Sequence, residues 1–463
     1  MSPTPPGRDQ PAHPEEGVVR VVVVGAGLAG CEAAWQAAER GAQVRLYEMK
    51  PTRFSPAHQS PDFAELVCSN SLRAAGLGNA VGLLKHEMRR LGSLVLRAAD
   101  ASAVPAGRAL AVDRLAFAAF MTSAIEEHPN IQVVREELTE LPDAPVAVLA
   151  TGPLTSEALA TALGRQIGEE SLYFYDAIAP IVYADSVDAS VAFRASRYED
   201  GEGDYLNLPL DEEQYRGFVA ALLEAEQVPL HHFEAALYFE GCLPIEEIAR
   251  RGPMTLAFGP MKPVGLVDPR TGRRPFAVVQ LRQEDKPGVL FNLVGFQTKL
   301  RVGEQKRILR ALPGLSEAVF ARFGSVHRNT YVNAPALLGP TLELRSRPGL
   351  FLAGQMAGVE GYVESSALGY LAGVNAVYRA AGSEPVLPEP CTAHGALLHH
   401  LGAASPRGFQ PMNVNYGLFP PLEGVGRRIR KREKNELLAE RALLALERYA
   451  QEVGAKVPPE STA

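Results

Sequence analysis

The stretch of sequence that decides the fold is VVRVVVVGAGLAG, residues 18–30. The run of valines, interrupted only by Arg20, is typical of a strand buried on both faces of a parallel sheet. A glycine turn follows at once, and residues 31–40 are rich in helix formers. Gln43–Tyr47 reads as the next strand, with Glu48 at its end. This order of elements predicts a βαβ unit that binds a dinucleotide: a strand, a glycine turn, a helix, a second strand and an acidic residue.

Each part of this unit has a physical task in holding a dinucleotide. Gly25 permits the tight turn, Gly27 lets the backbone approach a pyrophosphate, and Gly30 lets the helix pack closely. Free N–H groups at the start of the helix bind phosphates, and Glu48 can accept hydrogen bonds from a ribose. The alternative is a glycine-rich turn that binds no nucleotide. The predicted cofactor-binding residues of the unit are Gly25, Ala26, Gly27, Leu28, Ala29, Gly30 and Glu48.

Length and composition exclude several classes of protein. The chain has 463 residues, of which 46% are hydrophobic and 21% charged, so it can bury a large core and is neither disordered throughout nor a small disulfide scaffold. No apolar run is long enough to predict a membrane span. The four cysteines form no CxxC pair and the histidines show no metal-ligand spacing, so we expect no metal site and a reducing, cytoplasmic location. Residues 1–17 are predicted to be a disordered extension, and residues 456–463 a flexible tail.

Two later segments repeat the pattern of a short strand that runs into a glycine turn. Residues 146–150 lead into Thr151 and Gly152, and residues 349–355 lead into a helix of small residues over 358–373. Together with the first unit they resemble the three-part signature of two-dinucleotide-binding flavoproteins. That resemblance implies FAD held by discontinuous parts of the chain, with Gly354, Gln355 and Gly358 as further cofactor-binding residues.

The predicted fold is therefore α/β, an FAD-binding Rossmann-like domain with an inserted α+β domain. We expect residues 18–170 and 331–455 to form the discontinuous FAD-binding domain. Residues 171–330 are expected to form the insertion. The glycine-rich residues 76–82 do not have the dinucleotide spacing and are predicted to be a loop.

Two cysteines have surroundings that suit a reactive thiol. Cys242 precedes Pro244, which is well placed as the first residue of a helix, and a helix N-terminus favours the thiolate. Cys68 lies among polar residues, with Arg73 close in sequence. For both cysteines the alternative is a buried structural residue. Cys31, in the first turn of the glycine-turn helix, is expected to serve packing.

A basic cluster, RRIRKREK at residues 427–434, opens a predicted long helix over residues 427–453. It stands out in a chain of net charge −7 and could contact phosphates. The alternative is a solvated helix face. The candidate phosphate-binding residues are Arg427, Arg428, Arg430, Lys431 and Arg432.

Several motifs, taken together, resemble the folate- and FAD-dependent tRNA (uracil-5-)-methyltransferase family of bacteria. The motif at residues 22–30 is shared by many flavoproteins, whereas the two cysteine motifs and GPMKPVGL are far more specific. The family is related to a longer flavoprotein that modifies the wobble uridine. The motifs are residues 22–30, LVCSNSLR (66–73), FEGCLPIE (239–246), GPMKPVGL (259–266), QLRQE (280–284) and GQMAGVEGY (354–362).

The resemblance implies methylation of C5 of the T-loop uridine in tRNA. The one-carbon unit would come from 5,10-methylenetetrahydrofolate by way of reduced FAD, and NADH or NADPH would supply the electrons. A thiolate that adds to C6 of uracil activates C5, and we assign this role to Cys242, with Cys68 as the second catalytic thiol. The two roles could be exchanged. Glu360 and Tyr362 are candidates for proton transfer or flavin positioning, with a structural turn as the alternative.

The sequence is compatible with three other functions. One is a related flavoprotein that acts on a different tRNA uridine. Another is a flavin-dependent dehydrogenase with a small-molecule substrate. The third is a nucleotide-regulated RNA-binding protein without catalysis.

Overall fold

The computed structural model describes residues 18–168, 172–197, 203–228, 243–407, 409–423 and 429–455, with the backbone alone for 172–176 and 326–329. The predicted terminal segments 1–17 and 456–463 lie outside the described residues. The strands are β1 (Arg20–Val24), β2 (Gln43–Tyr47), β3 (Ser71–Ala74), β4 (Ala103–Val104), β5 (Ala109–Val112), β6 (Ile131–Val134), β7 (Ala147–Leu149), β8 (Leu172–Ile178), β9 (Ile181–Tyr183), β10 (Phe193–Arg194), β11 (Leu206–Leu210), β12 (Ala277–Gln283), β13 (Leu290–Leu293), β14 (Phe320–Arg322), β15 (Ser325–Tyr331) and β16 (Leu350–Leu352). The helices are α1 (Leu28–Glu39), α2 (Ala80–Arg90), α3 (Leu94–Ala101), α4 (Arg114–Glu126), α5 (Glu157–Ile167), α6 (Glu212–Glu224), α7 (Ile245–Arg250), α8 (Thr255–Phe258), α9 (Val302–Arg310), α10 (Ala334–Leu337), α11 (Tyr362–Ala380), α12 (Ala393–Ala403) and α13 (Lys431–Glu452).

A parallel sheet of strand order β16-β7-β1-β2-β6 forms the first layer of the fold. Every neighbouring pair in it runs parallel, as the valine-rich β1 predicts. Strand β16 joins at the edge beside β7 although it lies far along the chain, so the sheet is completed by the return of the chain after the second sheet. Helices α1 and α11 lie together against this sheet, and their facing residues are small.

A second sheet, of order β10-β11-β12-β13-β9-β14, is antiparallel throughout. Helix α6 packs on it through Tyr215, Phe218 and Leu222, which are buried in a separate apolar core. The helix begins where Asp211 forms a capping box with Gln214: the Asp211 side chain accepts from the Gln214 backbone, and the Gln214 side chain accepts from the Asp211 backbone. All strands of this sheet lie between residues 181 and 322.

The chain passes between the two sheets through β8 and returns through β15, and these two strands pair antiparallel along their whole length. None of the helices in the described ranges is both long and apolar enough to cross a membrane.

The prediction that residues 76–82 form a loop is wrong for residues 80–82, which belong to a helix. Helix α2 begins at Ala80, and a side chain on Gly82 would place its first carbon 2.0 Å from the carbonyl oxygen of Gly76. Close approach of the preceding turn, and not a loop conformation, explains the glycine. The segment before it, Ser71–Ala74, is a strand that pairs with β5, a partner too distant in sequence for the local pattern to indicate.

Candidate active site

The glycine turn has the geometry that its sequence predicts. Gly25 has a φ of +94°, a conformation that favours glycine, and it directly follows β1. A side chain on Gly30 would place its first carbon 1.7 Å from the carbonyl oxygen of Gly25, so this glycine allows the turn to close onto the helix. Gly27 precedes α1, and the space beside it is open. An open glycine at a helix N-terminus leaves room for a phosphate group.

Glu48 is buried at the end of β2, beside this turn. One oxygen of its carboxylate accepts a hydrogen bond of 2.7 Å from the backbone nitrogen of Ala26, and the other accepts one of 3.0 Å from the nitrogen of Lys50. The acid is thereby fixed against the middle of the glycine turn. Each oxygen keeps a second lone pair, with which it can accept a ribose hydroxyl.

A cleft of about 640 Å³, including its open mouth, runs along the turn. Gly25, Ala26, Gly27 and Glu48 line one part of it, and Leu28, Ala29 and Gly30 follow in the buried first turn of α1. Ala64 and Glu65 also line it, and they belong to the segment that leads to Cys68; the backbone nitrogen of Ala64 donates a hydrogen bond of 2.9 Å to the carbonyl oxygen of Ala26 in the glycine turn.

The predicted residues of the last glycine turn lie next to the first turn. A side chain on Gly354 would approach the Ala29 methyl group to 2.9 Å, so the two turns are in contact. Gln355 donates a hydrogen bond of 2.6 Å from its amide nitrogen to the Glu360 carboxylate. Gly358 has a φ of +94° and lies against the ring of Phe409.

Cys68 is half-buried and lies at the start of α11. The hydroxyl oxygen of Tyr362 accepts hydrogen bonds from the backbone nitrogens of Cys68, at 2.8 Å, and Ser69, at 3.3 Å. Burial raises the pKa of the Tyr362 hydroxyl well above its usual value, and the neighbouring Cys68 adds to that rise. Tyr362 is therefore a neutral phenol near pH 7.

Three arginines contact the Cys68 loop, which we define as residues 66–70: two bind its backbone and one binds its side chains. Arg114 contacts the carbonyl oxygen of Leu66 and lies 3.4 Å from that of Cys68, and Arg322 donates to that of Val67 at 2.8 Å. Arg282 donates to the side chains of Asn70, at 3.0 Å, and Ser69, at 2.6 Å. Burial lowers the pKa values of Arg282 and Arg322. The guanidinium groups of Arg114, Arg282 and Arg322 thus all contact the loop that carries the thiol.

Glu284 balances part of this charge. Its buried carboxylate forms an ion pair with Arg114 at 2.5 Å. Arg282 and Glu284 lie in the QLRQE motif, so the sequence marked them, whereas nothing in the local pattern around Arg114 or Arg322 indicated a contact with Cys68. The contacts depend on β12, α4 and β14 meeting at the loop, which is a property of the tertiary fold.

The structure brings several of the predicted residues close together, and others lie outside the described residues. Glu360 is buried at the turn before Tyr362, and its carboxylate points to Gln355. Cys242 lies outside the described residues. Helix α7 begins at Ile245, one residue later than predicted, and Pro244 is its cap residue and not its first helical residue.

The basic cluster is described only in part, because Arg427 and Arg428 lie outside the described residues. Helix α13 begins at Lys431, so the predicted start at residue 427 is wrong: Ile429 and Arg430 precede the helix, and Arg430 occupies its cap position. Arg430, Lys431 and Arg432 are exposed, and Arg432 pairs with Glu436 one turn further along. The composition of the cluster is typical of a helix, but at the cap position the Arg430 side chain makes no capping hydrogen bond.

Among the described residues, no group of three or more metal-ligating side chains comes together.

The fold and this site define the class of protein: a dinucleotide-binding α/β protein of the flavoprotein type, with an inserted α+β layer and a half-buried cysteine at the edge of the glycine turns. A family model described as glucose inhibited division protein A matches residues 20–384. A relative from Geobacter sulfurreducens is 60% identical over 430 residues, which cover 93% of this chain and 98% of the relative. Another, from Desulforudis audaxviator, is 58% identical over 435 residues, which cover 94% of this chain and 99% of the relative. Both are named methylenetetrahydrofolate--tRNA-(uracil-5-)-methyltransferase TrmFO.

The chain therefore belongs to the glucose inhibited division protein A family and, within it, to the group of these TrmFO relatives. The family resemblance in the sequence is confirmed. Among solved structures, GidA from Aquifex aeolicus in its form I crystal superposes with a TM-score of 0.68 at 19% identity, covering 95% of this chain and 76% of that one. This likeness confirms the predicted fold class.

Proposed function

We propose that this protein is an FAD-dependent tRNA (uracil-5-)-methyltransferase that takes its one-carbon unit from methylenetetrahydrofolate. The observation that carries the proposal is the placement of Cys68: the loop of this thiol is bonded to the first residue of α11, beside the two glycine turns. The extensive identity to the TrmFO relatives supports the same reaction.

The residues present fit FAD. Gly27 leaves space at the N-terminus of α1 for a pyrophosphate, and Glu48 is held where it can accept a ribose hydroxyl. FAD, when bound, supplies the chemistry that converts a methylene unit into a methyl group. We further propose that residues 18–170 and 331–455 form the cofactor-binding domain and 171–330 the insertion.

The chemistry left to the protein is the activation of uracil. C5 of uracil is a weak nucleophile, and addition of a thiolate to C6 forms a carbon–sulfur bond and leaves an enolate that reacts at C5. After C5 has gained the one-carbon unit it loses its proton to a base, and the thiolate leaves C6 again. We propose Cys242 as this nucleophile and Cys68 as the second thiol.

Tyr362 and Glu360 support this chemistry in different ways. As a neutral phenol, Tyr362 can position the Cys68 loop or donate a proton, but it does not act as a phenolate base. Glu360 and Gln355 form a bonded pair at the turn between the glycines and α11, where they can orient the cofactor or accept a proton.

The uridine must leave its stack to reach a thiol beside a cofactor cleft, at a cost of a few kcal/mol. Phosphate contacts can offset that cost. We propose that Arg427, Arg428, Arg430, Lys431 and Arg432 make them, that the substrate is the T-loop uridine of the tRNA T-arm, and that NADH or NADPH is the reductant. An enzyme that acts on tRNA is expected in the cytoplasm.

A product assay tests the proposal. Purified protein loaded with FAD is incubated with unmodified tRNA transcript, methylenetetrahydrofolate and NADH or NADPH, and the nucleosides are analysed by mass spectrometry. We expect 5-methyluridine in the T-loop, and none when folate is omitted or when the T-loop uridine is replaced by cytidine. Folate-independent turnover of NAD(P)H with no modified nucleoside would contradict the proposal.

A further inference from the structure

Lys85, in the middle of α2, is completely buried. Its ammonium donates to successive backbone carbonyls of β3, with Nζ 2.7 Å from the oxygen of Leu72, 3.3 Å from that of Arg73 and 2.6 Å from that of Ala74. A protonated lysine has three donor hydrogens, one for each of these carbonyls, and the neutral amine keeps two. The acidic group that acts on Lys85, Glu364, forms its ion pair with Arg73. A buried charge is expensive for a fold, so a lysine here needs a reason other than packing.

Arg73, in the centre of the segment that Lys85 holds, has an unusual backbone. Its φ is +63°, in the left-handed region that residues other than glycine rarely adopt. The pairing of β3 with β5 is irregular between Ser71 and Ala74, on either side of this residue. Such a conformation persists only where the surroundings fix it. The bonds from Lys85 to the carbonyls on both sides of Arg73 supply that constraint.

The side chain of Arg73 is directed at the start of α11. One guanidinium nitrogen contacts both oxygens of the Glu364 carboxylate, which is fully buried. The same carboxylate accepts a hydrogen bond of 2.9 Å from the backbone nitrogen of Val414. Glu364 lies in the first turn of α11, two residues after Tyr362. The ion pair therefore reaches the helical turn that also holds Cys68.

Two independent contacts consequently fasten the segment of residues 66–74 to the same turn of α11. Tyr362 holds it at the nitrogen of Cys68, and Glu364 holds it at the side chain of Arg73. Loss of either contact would allow the Cys68 loop to move relative to α11.

We propose that Lys85 is a positioning residue for the reaction at Cys68: it fixes the backbone of β3, which aims Arg73 at Glu364 and so holds the Cys68 loop against the start of α11. The reaction that this serves rests on the proposed function, whereas the effect on the loop does not.

The test compares Lys85→Met, which keeps the length of the side chain and removes its donors, with Val81→Ala, which removes apolar volume one turn earlier on the same helix. The first readout is the rate at which iodoacetamide alkylates Cys68 in the unliganded protein, followed by peptide mass spectrometry. The second is kcat and KM for tRNA in the product assay. Glu364→Gln, which keeps the shape of the side chain and removes its charge, tests the other end of the connection.

We expect Lys85→Met and Glu364→Gln each to raise the alkylation rate of Cys68 about fivefold, through more frequent local opening. We expect kcat to fall about tenfold with KM for tRNA nearly unchanged, because the thiol is displaced and the RNA surface is not. The double variant should be no worse than the more affected single variant, since both changes act on one connection. Val81→Ala should leave both readouts as in the wild type.

An unchanged alkylation rate and kcat in Lys85→Met would overturn the proposal, and so would equal effects in Val81→Ala. Should Lys85→Met yield no folded protein, Glu364→Gln and Arg73→Lys decide instead, and wild-type behaviour in both would overturn it. If the wild type itself forms no 5-methyluridine, the proposed function fails, and the alkylation rates still decide whether Lys85 positions the loop.

Discussion

The hydroxyl oxygen of Tyr362 accepts a hydrogen bond of 2.8 Å from the backbone nitrogen of Cys68, although 294 positions separate the two residues in the chain. Cys68 lies between the first two helices, and Tyr362 is the first residue of α11, which the chain reaches only after it has built the second sheet. The bond therefore joins the loop that carries the thiol, from the early part of the chain, to the helix that follows the last glycine turn.

Removal of this hydroxyl should loosen the Cys68 loop and also remove a candidate proton donor. Tyr362→Phe leaves the nitrogens of Cys68 and Ser69 without their acceptor, so we expect a loss of about 1–2 kcal/mol in the free energy of unfolding. Methyl transfer should slow about tenfold because the loop is displaced. Urea unfolding and the nucleoside assay measure the two effects, and Tyr183→Phe, at a half-exposed tyrosine of β9, is the control. Full activity in Tyr362→Phe would show that the bond does not position the thiol.

The two glycines of the first turn should respond differently to alanine. An alanine at Gly27 meets no protein atom within 4 Å, whereas one at Gly30 comes within 1.7 Å of the carbonyl oxygen of Gly25. We expect Gly27→Ala to keep the stability of the cofactor-free protein and to weaken FAD binding, since the new methyl group occupies the space for the pyrophosphate.

Gly30→Ala should also weaken FAD binding, and in addition destabilise the cofactor-free protein by about 1–3 kcal/mol. Thermal unfolding without flavin and titration with FAD separate the two effects. Gly217→Ala, on the open side of α6, is the matched control. Normal FAD affinity in Gly27→Ala would mean that the cofactor does not approach this turn.

Burial of Lys85 predicts a pH dependence of stability. Desolvation, assisted by the charges of Arg73 and Arg89 and opposed by Glu364, lowers the pKa of Lys85 from 10.5 to about 7. Between these values the unfolded chain holds a proton that the folded chain has released, so the free energy of unfolding rises with pH. The slope is at most about 1.4 kcal/mol per pH unit.

Urea unfolding of the wild type and Lys85→Met across this window measures that slope. We expect the difference in stability between the two proteins to shift in favour of the wild type as the pH rises from about 7 towards 10. A difference that does not change with pH would show that the lysine titrates near its usual value.

The basic cluster should contribute to RNA binding through charge alone. We expect Arg428→Ala combined with Arg430→Ala to weaken tRNA binding and to reduce its dependence on salt concentration, because fewer counterions are released. Arg216→Ala, at an exposed arginine of α6, is the control. Binding that keeps the salt dependence of the wild type would place the phosphate contacts elsewhere.

Local patterns predicted the parts of the fold in which neighbouring residues determine the structure. The valine run, the glycine turn and Glu48 form one short unit, so β1, α1 and β2 and the parallel sheet followed from the sequence. Strand β3 and helix α2 were missed, because β3 is short and pairs with a strand outside the local pattern, and Gly82 is a close-packing glycine inside a helix.

The candidate site was also predictable only in part: the sequence indicated individual residues but not the contacts between them. Cys68 and Tyr362 were marked by their motifs, but their contact was not, because it depends on how α11 packs. Arg114, Arg322 and Lys85 carry no local signal of their partners: each binds backbone carbonyls of a segment that folding brings to it. The assignment of Cys242 as nucleophile stays a prediction.

The most direct test of the account is covalent capture of the uridine. A T-arm RNA with 5-fluorouridine at the target position forms a stable adduct with the attacking thiol, because the fluorine blocks loss of the C5 substituent. With FAD and methylenetetrahydrofolate present, denaturing gel electrophoresis should show a protein–RNA complex for the wild type and for Cys391→Ala, and none for Cys242→Ala. A complex that persists in Cys242→Ala and disappears in Cys68→Ala would exchange the two thiols. The absence of any complex from flavin-loaded wild-type protein would contradict the claim that a cysteine attacks the pyrimidine.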